Sequence, residues 1–354
     1  MKKTAKLMSL LLALAMVFAL CACGNSTAPA QETKADTSGS DAAPADDMPY
    51  YNFKFSVTQA ATDPIAVYAQ QMIDEIQEKT NGHITIELHP NGELGAINDV
   101  NELIAQGAEI INYTGADAFN ATVPDLAILN CQFCLSDPSQ MKPISESDWY
   151  KDQVETLASN GNVRLLTYNW FTGYRHFVSN FPINSVDDMS GKQMRVADAA
   201  ALIAFSKALG CAPVVTNWNE TYTALSQGMV DCAEAPLSTL YSSSLQEVTK
   251  YLTLTGHLVS CGGICMNEQI FQSMPEEYQQ IMLEAAWNAG EAFGENSLTL
   301  EDEYIGKFED AGIEIKRLDE ETRQGFVDKA SSMYSDPSLG FSEGLFDRIQ
   351  EIIK

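Results

Sequence analysis

Arg195 is the residue of this sequence best suited to chemistry with a small molecule. It follows Gly191-Lys192-Gln193-Met194 and precedes Val196, a run that reads as a short strand. A guanidinium offers a planar fork of donors that matches a carboxylate bidentately. On the residues alone two roles stand open: a carboxylate clamp, or a structural ion pair to Asp187 or Asp198. Arg175, in Phe171-Thr172-Gly173-Tyr174-Arg175, is a second candidate cation; the remaining arginines are Arg164, Arg317, Arg323 and Arg348. Asp198 would repel a second carboxylate but accept from a hydroxyl or an ammonium; it is equally placed to cap a helix starting near Ala199. Trp218, Trp170 and Tyr113 are candidate wall residues, able to stack on a ligand or to fill a core. No nucleophile elbow, HExxH, P-loop or GxGxxG occurs, and the histidines (His83, His89, His176, His257) are scattered. The residues point to binding without catalysis and without a cofactor.

The N-terminus reads as an export signal. Lys2, Lys3 and Lys6 precede an uncharged apolar run from Leu7 to Ala22, short for a membrane-spanning helix. Residues 24–49 are rich in Ala, Ser, Thr, Asp and Pro, a composition that cannot bury a core and serves as a tether. The formal net charge is −27, which argues against nucleic-acid binding, since that needs a basic footprint. A pocket is governed by local charge, so an anionic ligand stays open. Residues 50–354 are enough for two cores. Among the cysteines after the leader, Cys211, Cys232 and Cys265 sit in apolar runs and read as small core residues. Cys131-x-x-Cys134 has no second CxxC to complete a metal site, and a disulfide among Cys131, Cys134, Cys211, Cys232, Cys261 and Cys265 stays open.

The elements that must position these residues alternate. Residues 51–58 read as a strand; Asp63-Pro64 reads as a helix cap, with Ile65, Tyr68, Ala69, Met72, Ile73 and Ile76 on one face; residues 83–88 read as a strand again. That is a β-α-β unit of parallel-crossover length. Strands are expected at 110–113, 163–169, 213–215, 230–233 and 313–315. Helices are expected at 98–106, 199–209, 219–227, 275–308 and from Glu320 onward. Alternating strands and helices imply parallel sheets covered by helices. The expected architecture is two α/β lobes facing one another across a cleft.

The segment 182–236 carries P-I-x-S-x-x-D-M-x-G-K-x-M-R-V, then A-L-G-x-x-P, E-x-Y-x-A-L-x-x-G-x-V-D and E-x-P. With Asn91-Gly92-Glu93-Leu94-Gly95, this order resembles the solute-binding proteins of TRAP (tripartite ATP-independent periplasmic) transporters, DctP type. The resemblance runs from about Tyr51 through the C-terminal helices. It implies a two-lobed periplasmic-binding-protein-like fold with a ligand cleft between the lobes and a long helix spanning both, in residues 275–308. Lobe I would be 50–172 with 261–300, and lobe II 173–260 with 301–354. It implies Arg195 as the carboxylate clamp, Arg175 as a pocket arginine, and Glu234 and His257 as the network supporting them. Ala235 stands where several members carry a side-chain amide, and Gly115 where some have a polar side chain, which favours a ligand with an apolar or aromatic body. Leu20-Cys21-Ala22-Cys23 resembles a lipobox, making 1–22 a lipoprotein signal peptide, Cys23 the lipid-bearing residue and 23–49 the tether. The function implied is capture of a small organic acid outside the cytoplasm, at the face of the cell membrane. Delivery would be to the small and large membrane subunits of an ion-gradient-driven permease. The rival readings are the binding protein of an ATP-driven importer and an exported two-lobed enzyme.

Overall fold

The computed structural model describes residues Met48–Lys354. The expected signal peptide, Cys23 and nearly all of the tether lie outside the described residues. In chain order the strands are β1 (Tyr51–Ser56), β2 (Ile84–His89), β3 (Ile110–Thr114), β4 (Val163–Ser179), β5 (Gln193–Val196), β6 (Ala212–Val215), β7 (Cys232–Pro236), β8 (Tyr251–Asn267) and β9 (Glu314–Arg317). They form one nine-stranded sheet in the order β2-β1-β3-β8-β4-β7-β5-β6, with β9 beside β8.

The expected parallel pairs are there: β1 with β2 and β3, and β5 with β6 and β7. The centre is different. β4 and β8, each 17 residues long, run antiparallel as one ribbon. The sequence reading ended β4 at Asn169 and missed β8. The reason is burial on both faces, which erases the regular alternation of apolar and polar residues. Gly262 and Gly263 inside β8 are each required by close packing: a Cβ at Gly262 would enter the Tyr113 ring, and one at Gly263 would strike the Thr167 carbonyl.

The ribbon organises everything else. β3 joins it at Gly263–Cys265 of β8, whereas β7 joins it along Arg175–Ser179 of β4. Between these junctions its register shifts repeatedly, at Thr167/Trp170, Phe171/Tyr174 and Arg175/Phe177. Such bulges bend a strand and re-aim side chains. Gly173 supplies a φ of +109° at that bend.

The Asp63-Pro64 cap is observed: the Ile65 N–H donates to Asp63 Oδ1 at 2.9 Å, and the helix Pro64–Lys79 follows. The other oxygen of Asp63 accepts from the Ser242 hydroxyl, 179 residues away, also at 2.9 Å. The long helix runs Glu276–Asp310, 35 residues. Its first half, from Tyr278 to Phe293, packs in one core with Phe53, Phe55 and Ile84. Its second half, Tyr304, Ile305 and Phe308, packs in another core with Ala224, Val230 and Leu252. His176 ties the helix to the ribbon: its Nδ1 accepts from the Gly256 N–H at 3.0 Å, and its Nε2 meets Glu301 at 2.7 Å. Cys131, Cys134, Cys211, Cys232, Cys261 and Cys265 are free thiols and all buried, as core residues.

Candidate ligand-binding site

A cavity of about 370 Å³ opens where the bent middle of the ribbon meets the ends of both flanking strand sets. Arg195, Arg175, Asp198, Trp218, Ala235, Tyr113 and Gly115 all line it. Open α/β sheets present such sites at the carboxyl ends of their strands.

Arg195 stands on β5 with 3% of its surface exposed. Its Nη2 donates to the Thr216 carbonyl at 2.7 Å, and its guanidinium lies 5.0 Å from the Trp218 ring. Its Nε has no hydrogen-bond partner among the described residues. Neither Asp187 nor Asp198 pairs with it. Burial pulls its pKa down to about 10, with Glu234 opposing that shift and Arg175 adding to it.

Arg175 is closed on Glu234. Its Nε donates to Oε2 at 2.5 Å and its Nη2 to Oε1 at 2.6 Å, a fork-to-fork pair. Burial alone would raise the Glu234 pKa; the Arg175 charge overcomes that and holds it at about 2. His257 completes the network, with Nε2 3.1 Å from Glu234 and Nδ1 2.7 Å from the Thr255 hydroxyl. Burial outweighs Glu234 and pushes the His257 pKa down. The neutral ring therefore donates to Glu234 and accepts from Thr255. It stacks on Phe177 at 4.7 Å and on Phe205 at 5.3 Å, which fixes its plane.

Two expectations are corrected. Trp170 does not line the cavity: it is fully buried beneath the long helix, its Nε1 donating to the Ala286 carbonyl at 3.0 Å. An indole next to a helix satisfies its N–H there and leaves the cavity to Tyr113, whose ring centre is 6.0 Å away. Asp198 does not cap the helix Ala200–Ala208, whose N-cap is Ala199 without a side-chain bond. The Asp198 carbonyl instead accepts from Asn98 Nδ2 at 3.0 Å, joining the loop after β5 to the first turn of the helix Ile97–Ala105.

Sequence reasoning missed Asp117 and Asn130. They sit in short 3-10 turns (Ala116–Phe119 and Pro124–Asn130) after β3, and both line the cavity. Asn130 Nδ2 donates to Asp117 Oδ1, and Asn130 Oδ1 accepts from the Tyr168 hydroxyl at 2.8 Å. Gly115 has its reason here: a Cβ on it would overlap both Asp117 Oδ1 and Asn130 Nδ2. The usable signal was position, just past the carboxyl end of a parallel strand.

The family described as "Bacterial extracellular solute-binding protein, family 7" (DctP) matches residues 55–338. The sialic acid-binding periplasmic protein of Vibrio cholerae is 26% identical over 247 residues, 70% of this chain and 77% of that protein. The C4-dicarboxylate-binding protein of Bacillus subtilis is 25% identical, over 85% of this chain and 86% of its own length. A TRAP periplasmic solute-binding protein from Ochrobacterium anthropi, solved with bound L-fuconate, is 28% identical. It covers 86% of this chain and all of its own, with a TM-score of 0.82. An apo open structure from Escherichia fergusonii, 27% identical, covers 85% of this chain and 99% of its own at a TM-score of 0.73. The matched span contains the long helix, the ribbon and every cavity residue named above. The chain thus belongs to the DctP family of bacterial extracellular solute-binding proteins, family 7, which are TRAP-type binding proteins and not enzymes.

Proposed function

We propose that this protein captures a small organic carboxylate outside the cytoplasm and hands it to the membrane subunits of a TRAP permease. The observation that carries the ligand class is Arg195, a buried cation facing a cavity with no carboxylate of the described residues upon it. A carboxylate ligand would close that fork. Arg175, held by Glu234, would fix the second wall of the anion site, while Trp218, Tyr113, Ala235 and Gly115 would shape the rest. Relatives named for sialic acid, C4-dicarboxylates and L-fuconate support an acid. Lobes 50–172 with 261–300 and 173–260 with 301–354 would close by bending the ribbon at its register shifts. The higher TM-score to the L-fuconate-bound structure than to the apo open one supports reading this conformation as closed.

A thermal-shift screen of carboxylic acids against their neutral amides tests the reading. A ligand at a hundred times its dissociation constant adds about 2.7 kcal/mol of stability, a readable rise in melting temperature. Acids are expected to shift the protein and their amides not to. A shift from sugars or amines alone would overturn the carboxylate assignment.

The lipid anchor rests on Leu20-Cys21-Ala22-Cys23. A lipid on Cys23 would hold the protein at the membrane face, with residues 24–49 as the tether. Cys23→Ala is expected to move the protein from the membrane fraction to the soluble one. An unchanged membrane fraction would remove Cys23 as the anchor.

A further inference from the structure

The cavity has a second charged group that the reading above leaves unused. Arg175 is neutralised by Glu234, so the charges facing the ligand that are not exposed to solvent are Arg195 on one side and Asp117 on the other; Asp99 and Asp198 also line the cavity but are exposed. Asp117 is built in rather than incidental. Asn130 donates to its Oδ1, and Tyr168, whose hydroxyl accepts from the Ala116 N–H at 3.0 Å, holds Asn130 in place. The space for this pair exists because residue 115 is glycine. Among the described residues no Lys, Arg or His forms an ion pair with Asp117, and Arg175, the nearest cation acting on it, has its fork occupied by Glu234.

We propose that Asp117, steadied by Asn130, receives the ammonium group of a ligand whose carboxylate sits on Arg195, so that the solute class is an amino acid or a related ammonium carboxylate. This rests on the reading of Arg195 as a carboxylate clamp. A plain monoanion would satisfy Arg195 and leave Asp117 as a secluded anion without a counter-charge, which is costly. A hydroxyl would give Asp117 a hydrogen bond but no charge. An ammonium supplies donors and charge together. With it, Arg195 and Asp117 each have an opposite partner in the cavity.

The test is calorimetric titration of the protein with matched sets of acids: 4-aminobutyrate, 4-hydroxybutyrate and butyrate; alanine, lactate and propionate; phenylalanine, phenyllactate and 3-phenylpropionate. In at least one set the amino member is expected to bind tenfold or more tighter than both partners. Asp117→Asn is expected to cut that advantage to under threefold, by weakening the amino member, tightening the unsubstituted acid, or both. The wild-type ranking stands on its own if the variant fails to fold. Hydroxy or unsubstituted acids binding as tightly as their amino counterparts would overturn this inference and leave the carboxylate reading intact. Binding by no member of any set, with the acid screen yielding a ligand that has no ammonium group, would overturn this inference alone; a screen in which no acid binds would overturn both.

Discussion

Arg195→Met is expected to abolish binding of the acid that the screen identifies and yet to leave the unliganded protein as stable as wild type, or more so. The two halves of that result have one cause. In the unliganded cavity the guanidinium is buried with one acceptor, the Thr216 carbonyl, and an Nε without a partner. A buried charge without a counter-ion is unfavourable, and its pKa near 10 is the mark of that cost. Methionine keeps the stem that packs beside Trp218 and removes the charge. The lost hydrogen bond is worth roughly 1 kcal/mol, which relief of the desolvation offsets. For the liganded state the arithmetic reverses. Truncating one partner of a buried, hydrogen-bonded charge pair costs about 2–5 kcal/mol or more, so affinity should fall by about a hundredfold or more. Arg195→Lys keeps the charge but not the fork and should fall between the two. Calorimetry and a urea titration read both quantities. Acid binding within threefold of wild type would remove the clamp. A large drop in stability of the unliganded Met variant would make Arg195 a structural residue.

The parts of the site that were legible in the sequence are those fixed by short-range pattern. Arg195 lies on a strand because the alternation from Gln193 to Val196 puts it there. Glu234 lies in the β7 strand directly across from Phe177 of β4, two positions along from Arg175. Its contact with Arg175 spans 59 residues of sequence, so the family motif revealed it and local periodicity did not. The ribbon was illegible because two-sided burial erases the alternation by which strands are recognised. The glycines inside it are set by rings and carbonyls distant in sequence, such as Tyr113 against Gly262. Asp117 was illegible for a related reason. Nothing near it in the chain marks it. Its role follows from the closeness of Asn130 and from the absence of a side chain at Gly115, both consequences of tertiary packing. Trp170 shows the reverse error. An aromatic residue near a motif arginine reads as a pocket wall until the register shifts of β4 turn it toward the long helix.

Glu234→Gln is expected to be the most destabilising conservative change in the site. The substitution keeps the shape of the side chain and removes the charge that neutralises Arg175. The Arg195 and Arg175 guanidiniums would then face each other's field across the cavity without the carboxylate that pairs Arg175. Breaking a buried pair from one side typically costs about 3–5 kcal/mol. Removing the stranded cation as well, in Glu234→Gln/Arg175→Met, should recover part of that loss, which separates a charge effect from a packing effect. The pH dependence gives an independent check. The folded protein holds Glu234 at about 2, below its ordinary 4.5. Its contribution is therefore fully present above pH 4.5 and lost as pH falls through about 2, on the order of 3 kcal/mol in all. His257 acts in the same direction at higher pH: burial lowers its pKa, so the unfolded chain takes up a proton first and stability falls as pH drops through 6.5. Asp63 and Asp117, whose pKa values burial raises, act oppositely and lose a penalty on acidification. These three groups remain in the Glu234→Gln protein. His257 and Asp117 both feel the Glu234 charge, so the difference in stability between wild type and variant reads Glu234 together with its coupling to them, and it should shrink as the pH is lowered from 4.5 toward 2. A difference that stayed constant over that range would mean that the ionised carboxylate is not what holds Arg175 in place.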